Sequence, residues 1–394
     1  MLRGRGEDGK GKVDRPMRSY TIEAEFGTTR MARGTLLADF NTLRRKIQAV
    51  LKPGQGRFGY LGWTGHKNLG DEILFEAARI LLKDYALFPY RASKADRLAD
   101  WLAGGRLLRG CCLGGGTLIY GGEGYLRAMQ AAAGLPMFAL GTGVVEPLPG
   151  SATADFEQRR GRWVEALRGF RAVSVRGPQS KAMLEAHGLS GVEIVGDPAL
   201  VFSRLRTYAT TEDRVLGVNA GSARGRLWGG DEEPLIATVA QAVRRLKYRG
   251  WRFEFFSVWP EDDGACVRLA AAAGLRACAV QKHYRAAEGF LAGVQRCSVF
   301  LGMKLHSVIL AHCASVPSVM LGYRNKCFDY LASMEMEHFA VRTDQVQVEP
   351  LVGLVESAYD QRDKLRRELK EKCAYYTDKL EDFAGRIRGG LLWR

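Results

Sequence analysis

Phe58-Gly59-Tyr60-Leu61-Gly62-Trp63-Thr64-Gly65-His66-Lys67-Asn68-Leu69-Gly70-Asp71 is the stretch that decides the fold. It opens as a short apolar run, reads as a buried strand to Trp63, and passes through a polar loop to Gly70. Asp71 then opens an amphipathic helix expected to end near Lys83. A strand that leaves through a glycine loop into a helix is the repeating unit of a parallel sheet, because parallel strands need a crossover connection.

The unit recurs along the chain. Leu107–Leu113 reads as a strand ending in the loop Gly114-Gly115-Gly116-Thr117, and Met137–Leu140 as another ending in Gly141-Thr142-Gly143. A helix over 152–170 leads to a strand, Ala172–Val175, that exits through Arg176. Gly196-Asp197-Pro198 closes this half, and Ser203–Arg214 reads as a linker. The pattern then restarts with strands at 215–219, 253–258, 298–302 and 317–321, and helices at 233–248 and Lys304–Cys313. A long helix carrying Leu365, Leu369, Tyr376, Leu380 and Phe383 on one face completes the chain. The expected architecture is α/β: two Rossmann-like lobes with a cleft between them and a C-terminal amphipathic helix. The expected boundaries are a basic tail over 1–34, lobes over 35–205 and 206–350, and a helical segment over 351–394. A further helix is expected over 36–51, stopped by Lys52-Pro53-Gly54.

Composition narrows the function. The 394 residues are 46% hydrophobic and 26% charged, ordinary globular values that exclude a fibrous or wholly disordered chain. The 58 Lys and Arg outnumber 43 Asp and Glu, giving +15 and favouring anionic partners. About +7 of that comes from the first sixty residues, so the basicity is partly a property of the tail. Aromatics do not interleave with the basic residues as a nucleic-acid stacking platform requires, so no nucleic-acid partner is expected. The eight cysteines include no C-x-x-C pair and the six histidines are scattered, so no metal site is expected. The N-terminus lacks a signal-peptide core and no window reaches the roughly 18 apolar residues of a membrane span, which points to a cytoplasmic protein.

Ligands of such sheets bind outside the carboxyl ends of the strands, so residues at strand exits are the candidates. Neither glycine loop matches a nucleotide fingerprint. The backbone N–H groups of Gly115 and Gly116, and of the loop at 141–143, would present donors to an anion, or simply make tight turns. Asn68 and Asp71 lie at a strand-to-helix junction, as an N-cap or as ligands of sugar hydroxyls. Arg176 offers a guanidinium to a carboxylate or phosphate. Gly302-Met303-Lys304-Leu305-His306-Ser307 joins a buried strand to an apolar helix, and Arg324 and Lys326 follow the next strand. A histidine among these cations is placed to give and take protons.

At this point the chain resembles the polysaccharide pyruvyl transferase family. The resemblance rests on Asn68-Leu69-Gly70-Asp71-Glu72, Leu113-Gly114-Gly115-Gly116, Val173-Ser174-Val175-Arg176, Val195-Gly196-Asp197-Pro198, Lys304-Leu305-His306-Ser307 and Tyr323 through Lys326, in that order. It implies two lobes arranged as in GT-B glycosyltransferases, phosphoenolpyruvate as donor, a sugar diol as acceptor and a cyclic pyruvate ketal as product, a scheme that requires no metal, nucleotide or other cofactor. On this reading His306, Arg176 and Lys326 are catalytic, and Asn68, Asp71, Gly115, Gly116, Lys304, Ser307 and Arg324 bind substrate. Many family members carry Arg where this chain has Lys304, which keeps the charge and loses the bidentate fork. A lipid-linked acceptor would give the basic tail and Trp393 a role at the inner face of the membrane. The competing readings are a GT-B glycosyltransferase using a nucleotide sugar, and a non-catalytic anion-binding or nucleic-acid-binding protein using the basic tail.

Overall fold

The computed structural model describes residues 56–93, 96, 108–147, 153–205, 211–275, 280–281 and 286–390. The tail, the helix expected over 36–51, Cys278 and Trp393 lie outside them.

The first lobe contains β1 (Gly56–Leu61), α1 (Leu69–Leu81), β2 (Tyr85–Pro89), β3 (Gly110–Leu113), β4 (Gly116–Ile119), α2 (Glu123–Ala131), β5 (Met137–Val144), α3 (Ala154–Arg168), β6 (Ala172–Val175), α4 (Pro178–Ala186) and β7 (Glu193–Ile194). A 3₁₀ segment, Pro198–Arg204, follows. The second lobe holds β8 (Val215–Asn219), α5 (Glu232–Tyr248), β9 (Arg252–Phe256), α6 (Asp262–Ala272), β10 (Val280–Gln281), α7 (Ala287–Val294), β11 (Val299–Gly302), α8 (Leu305–Cys313), β12 (Ser318–Gly322), α9 (Asn325–Met334) and β13 (Ala340–Arg342). Two helices end the described chain, α10 (Val348–Asp360) and α11 (Arg362–Arg388).

Both sheets are parallel throughout. The first runs β2-β1-β3-β5-β6-β7, with β4 paired to β5 off this path. The second runs β10-β9-β8-β11-β12-β13, the doubly wound order with its topological switch between β8 and β11. The corresponding switch in the first sheet lies between β1 and β3. The strands are buried on both faces, and so read as continuous apolar runs rather than alternating ones; every residue of β8, β11 and β12 is buried.

α11 ties the lobes together. Its apolar stripe of Leu365, Leu369, Tyr376, Leu380 and Phe383 is buried as the periodicity predicts, each side chain contributing about 1.5–3 kcal/mol when fully buried. Farther along, the helix lies on the first lobe. The Thr377 hydroxyl donates to the Leu200 carbonyl at 3.0 Å, Arg386 pairs with Glu193 at 2.6 Å, and Arg388 donates to the Leu81 carbonyl.

Four local expectations need correction. α1 begins at Leu69, with Asn68 as its cap and Asp71 inside the first turn. The residues 141–143 are not a loop: β5 runs through them to Val144, bending at a register irregularity between Ala139 and Thr142 where it meets β6. Gly116 likewise starts β4 rather than ending a loop. The segment expected to be a linker is a 3₁₀ turn as far as Arg204, with residues 206–210 outside the described part.

Candidate active site

The two switch points face each other across the cleft, and the loops leaving them enclose a cavity of about 220 Å³. From the first lobe come Asn68 and Asp71 at the start of α1, Gly116 after β3, and Arg176 after β6. Lys304, His306, Arg324 and Lys326 come from the second. Eight of the ten candidate residues thus meet in one place.

Each is positioned by its local sequence. The Asn68 side chain accepts the Gly70 N–H at 3.0 Å, an N-cap that starts α1 beside the cavity. Gly70 leaves room for the histidine: a Cβ there would lie 2.7 Å from His306 Cγ and closer still to Nδ1. His306 stands in the first turn of α8, its side chain 16% exposed. Its Nε2 lies 3.7 Å from Asp197 Oδ2. Arg324 caps α9 and Lys326 sits in the first turn of that helix, so two cations crowd one helix start. Among the described residues neither forms a salt bridge or a side-chain hydrogen bond; the Lys326 ammonium lies 4.9 Å from the centre of the Tyr323 ring. Burial pulls the Lys326 amine down to about 8, the Arg324 charge adds to that effect, and Asp71 opposes it.

Arg176 lies under the cavity floor at 1% exposure. Among the described residues its guanidinium has no hydrogen-bond partner, although Asp197 stands 3.8 Å from Nη1 and Asp329 3.6 Å from Nη2. Gly143 makes space for it, since a Cβ there would sit 3.0 Å from Arg176 Cζ. A buried guanidinium with open donors beside a cleft is where an added anion gains most. Burial pushes the Asp197 carboxyl up, but His306, Arg176 and the Ala199 amide outweigh it and hold the group below the usual range.

Lys304 reaches the cavity wall but is engaged by the protein. Its ammonium donates to the Ser222 carbonyl, lies 3.4 Å from Asp262 Oδ1, and sits 5.1 Å from the Trp259 ring centre. It therefore holds the loop after β8 rather than offering a free charge. Two candidates do not reach the cavity at all. The Ser307 hydroxyl is fully buried between Asn219 Oδ1, at 3.1 Å, and the Lys304 carbonyl, at 2.6 Å, so it fastens the strand-to-helix junction. Gly115 packs against the interior, where a Cβ would meet Leu74 and Pro198.

Sequence reasoning missed four contributors. Asp197 and Asp329 flank Arg176, while Trp63 and Trp259 form an aromatic wall with ring centres 5.8 Å apart. The Gly-Asp-Pro at 196–198 does signal Asp197, as an acidic cap ahead of a proline that starts a helical turn. Among the described residues no group of three or more His, Cys, Asp or Glu is placed to hold a metal ion, and no helix is long and apolar enough to cross a membrane.

Solved structures share this frame at low identity. A putative UDP-N-acetylglucosamine 2-epimerase from Listeria monocytogenes superposes with a TM-score of 0.56 at 12% identity, covering 86% of this chain and 96% of that one. The S. aureus MnaA–UDP complex gives 0.57 at 10% identity over the same shares. A glycosyltransferase from Rickettsia africae gives 0.55 at 7% identity, over 87% of this chain and 100% of that one. These likenesses establish the GT-B-like fold and nothing finer. No curated protein matches the chain in sequence. The sequence profile named polysaccharide pyruvyl transferase matches residues 68–325. That span begins at the Asn68 cap, ends at Asn325 beside Lys326, and takes in both halves of the cleft. The chain is a member of the polysaccharide pyruvyl transferase family, a transferase built on a GT-B-like frame.

Proposed function

We propose that the protein transfers the enolpyruvyl group of phosphoenolpyruvate to two hydroxyls of a saccharide, forming a cyclic pyruvate ketal and releasing phosphate. One observation carries this reading. Among the described residues, Arg324 and Lys326 line the cavity without a salt bridge, Arg176 underlies its floor with no hydrogen bond to its guanidinium, and His306 stands among them. Phosphoenolpyruvate brings a carboxylate and a phosphate, so its pocket needs several cations and one proton donor.

The chemistry then assigns roles. Arg324 and Lys326 hold the donor's anionic groups, and Arg176 adds its charge from below, where poor solvent screening lets it act at a distance. His306 gives its proton to the methylene carbon of the donor, which makes the adjacent carbon electrophilic. A first acceptor hydroxyl attacks that carbon and loses its proton. The carbon–oxygen bond to phosphate breaks, with Lys326 and the guanidinium stabilising the leaving charge, and the second hydroxyl closes the ketal. Of the two hydroxyl protons released, one restores His306 and one leaves with phosphate. Asn68 and Asp71, at the start of α1, orient the acceptor hydroxyls, and the Trp63–Trp259 wall offers an apolar face for a sugar ring.

The test is product formation. The protein is incubated with phosphoenolpyruvate and a panel of methyl hexopyranosides and oligosaccharides. Release of phosphate together with a new quaternary-methyl proton signal identifies the ketal. Transfer of a sugar from a nucleotide sugar, with no phosphate released from phosphoenolpyruvate, would replace this reading with glycosyl transfer.

A further inference from the structure

A row of buried groups crosses the cleft behind the cavity. Asp329 of α9 accepts the Ser180 N–H at 3.0 Å and the Ser180 hydroxyl at 2.7 Å, which fixes it to the first turn of α4 in the other lobe. Its Oδ2 stands 3.6 Å from Arg176 Nη2. Arg176 Nη1 stands 3.8 Å from Asp197 Oδ2, and the same oxygen stands 3.7 Å from His306 Nε2. Asp197 is fully buried, and its other oxygen is fixed by the Ala199 N–H at 3.0 Å. Carboxylate, guanidinium, carboxylate and imidazole therefore follow one another from Asp329 through Arg176 and Asp197 to His306. Among the described residues neither Asp197 Oδ2 nor His306 Nε2 has a hydrogen-bond partner of its own.

Resting on the transferase reading, we propose that Asp197 is the positioning residue of His306. It holds the ring with Nδ1 toward α1, and it lends the negative charge that lets the imidazole carry a proton. We also assign to the donor a part in this pairing. Asp197 Oδ2 divides its attraction between Arg176 and His306. A donor anion above Arg176 takes up that guanidinium's charge and leaves Asp197 to His306, so the acid is loaded when there is something to protonate. The other charged residues lining the cavity with His306 are Asp71 on α1, Glu146 after β5, Arg226 after β8, Lys304 at the cap of α8, and Arg324 and Lys326 at the start of α9. Asp–His pairs of this logic fix tautomer and orientation in other acid–base sites.

Asp197→Asn isolates the charge, because an asparagine oxygen still accepts the Ala199 N–H and keeps the cap. The expected result is a fall in kcat of about 100-fold or more, with the KM for phosphoenolpyruvate unchanged or lower, since a negative charge has been removed from beside Arg176. In a His306→Gln background the same change should alter kcat less than about threefold, because Asp197 acts through the ring. The His306 Cε1–H resonance, assigned by its loss in His306→Gln, gives a reading without substrate: its protonation midpoint falls in Asp197→Asn. In the wild-type protein the midpoint rises when phosphoenolpyruvate is added, a measurement that stands if the variant does not fold.

An unchanged midpoint in the variant with kcat within about threefold of wild type overturns the pairing, as does a full additional loss in the His306→Gln background. A midpoint in the folded wild type that ignores saturating phosphoenolpyruvate overturns the loading step. Wild-type protein that neither binds nor turns over phosphoenolpyruvate, while Asp197→Asn still lowers the midpoint, overturns the donor reading and leaves the pairing intact.

Discussion

Gly70→Ala is the mildest change that tests whether His306 is poised for chemistry. The added Cβ would lie 2.7 Å from His306 Cγ and 3.0 Å from its Cβ. Ordinary contact needs at least about 3.4 Å, so the imidazole must retreat by roughly 1 Å. Gly70 lies in α1 at an ordinary helical conformation, so alanine gains about 1 kcal/mol of helix propensity there. Overpacking against the histidine costs about 1–3 kcal/mol. The two effects largely offset, and the melting temperature should move by no more than a few degrees. Activity responds differently, because displacing a reacting group by about 1 Å costs roughly 100-fold, or about 2.7 kcal/mol of transition-state stabilisation. The assay is steady-state phosphate release from phosphoenolpyruvate, with donor binding measured separately by calorimetry. The expected outcome is a large loss in kcat with donor affinity within a few fold of wild type. A Gly70→Ala protein that keeps wild-type kcat would refute the assignment of His306 as the acid.

Further expectations follow from the charges around it. Arg176→Met leaves Asp197 and Asp329 buried without their shared cation, at a cost of about 3–5 kcal/mol, visible in chemical denaturation. Arg176→Lys, which keeps the charge, should recover most of that stability. With the Lys326 amine held near 8 in the folded protein, its charge is lost as pH rises through that value, so the KM for phosphoenolpyruvate should climb between pH 7 and 9. Lys326→Arg, charged throughout, should flatten the climb. The unfolded amine titrates near 10.4, so between about pH 8 and 10 the unfolded chain binds more protons and this group makes stability rise with pH. Burial pulls His312 down to about 3, and the ring is satisfied by Tyr330 at 2.9 Å and Ser318 at 2.6 Å. It is neutral in the fold and protonated in the unfolded chain below about pH 6.5, so stability should fall as pH drops from about 6.5 toward 3. His312→Gln should reduce that slope in denaturation series run at several pH values.

The lobes were legible because their strands are buried on both faces and their helices carry clean apolar stripes, as in β8, α5 and α11. Glycine obscured the rest. Gly141-Thr142-Gly143 looks like a turn, yet the flanking β4 and β6 and the hydroxyl of Thr142, which donates to the Leu113 and Gly114 carbonyls, keep it in the sheet. His306, Lys326 and Arg176 could be found because strand exits concentrate ligand contacts in a doubly wound sheet. The direction in which a side chain turns from such a position is a tertiary property. Ser307, one residue from His306, is drawn inward by Asn219 of β8, and Lys304 is drawn aside by Asp262 of α6. Asp329 carried no local signal, since its partners Ser180 and Arg176 lie about 150 residues earlier in the chain.

Thermal stabilisation by added ligand tests the central claim most directly, because a ligand that binds only the folded state raises its melting temperature without any knowledge of the acceptor. Phosphoenolpyruvate should stabilise the wild-type protein in a concentration-dependent way, and the effect should be lost in Lys326→Ala and Arg176→Met. UDP-, GDP- and dTDP-sugars should leave the melting temperature unchanged. Stabilisation by a nucleotide sugar and none by phosphoenolpyruvate would contradict the account.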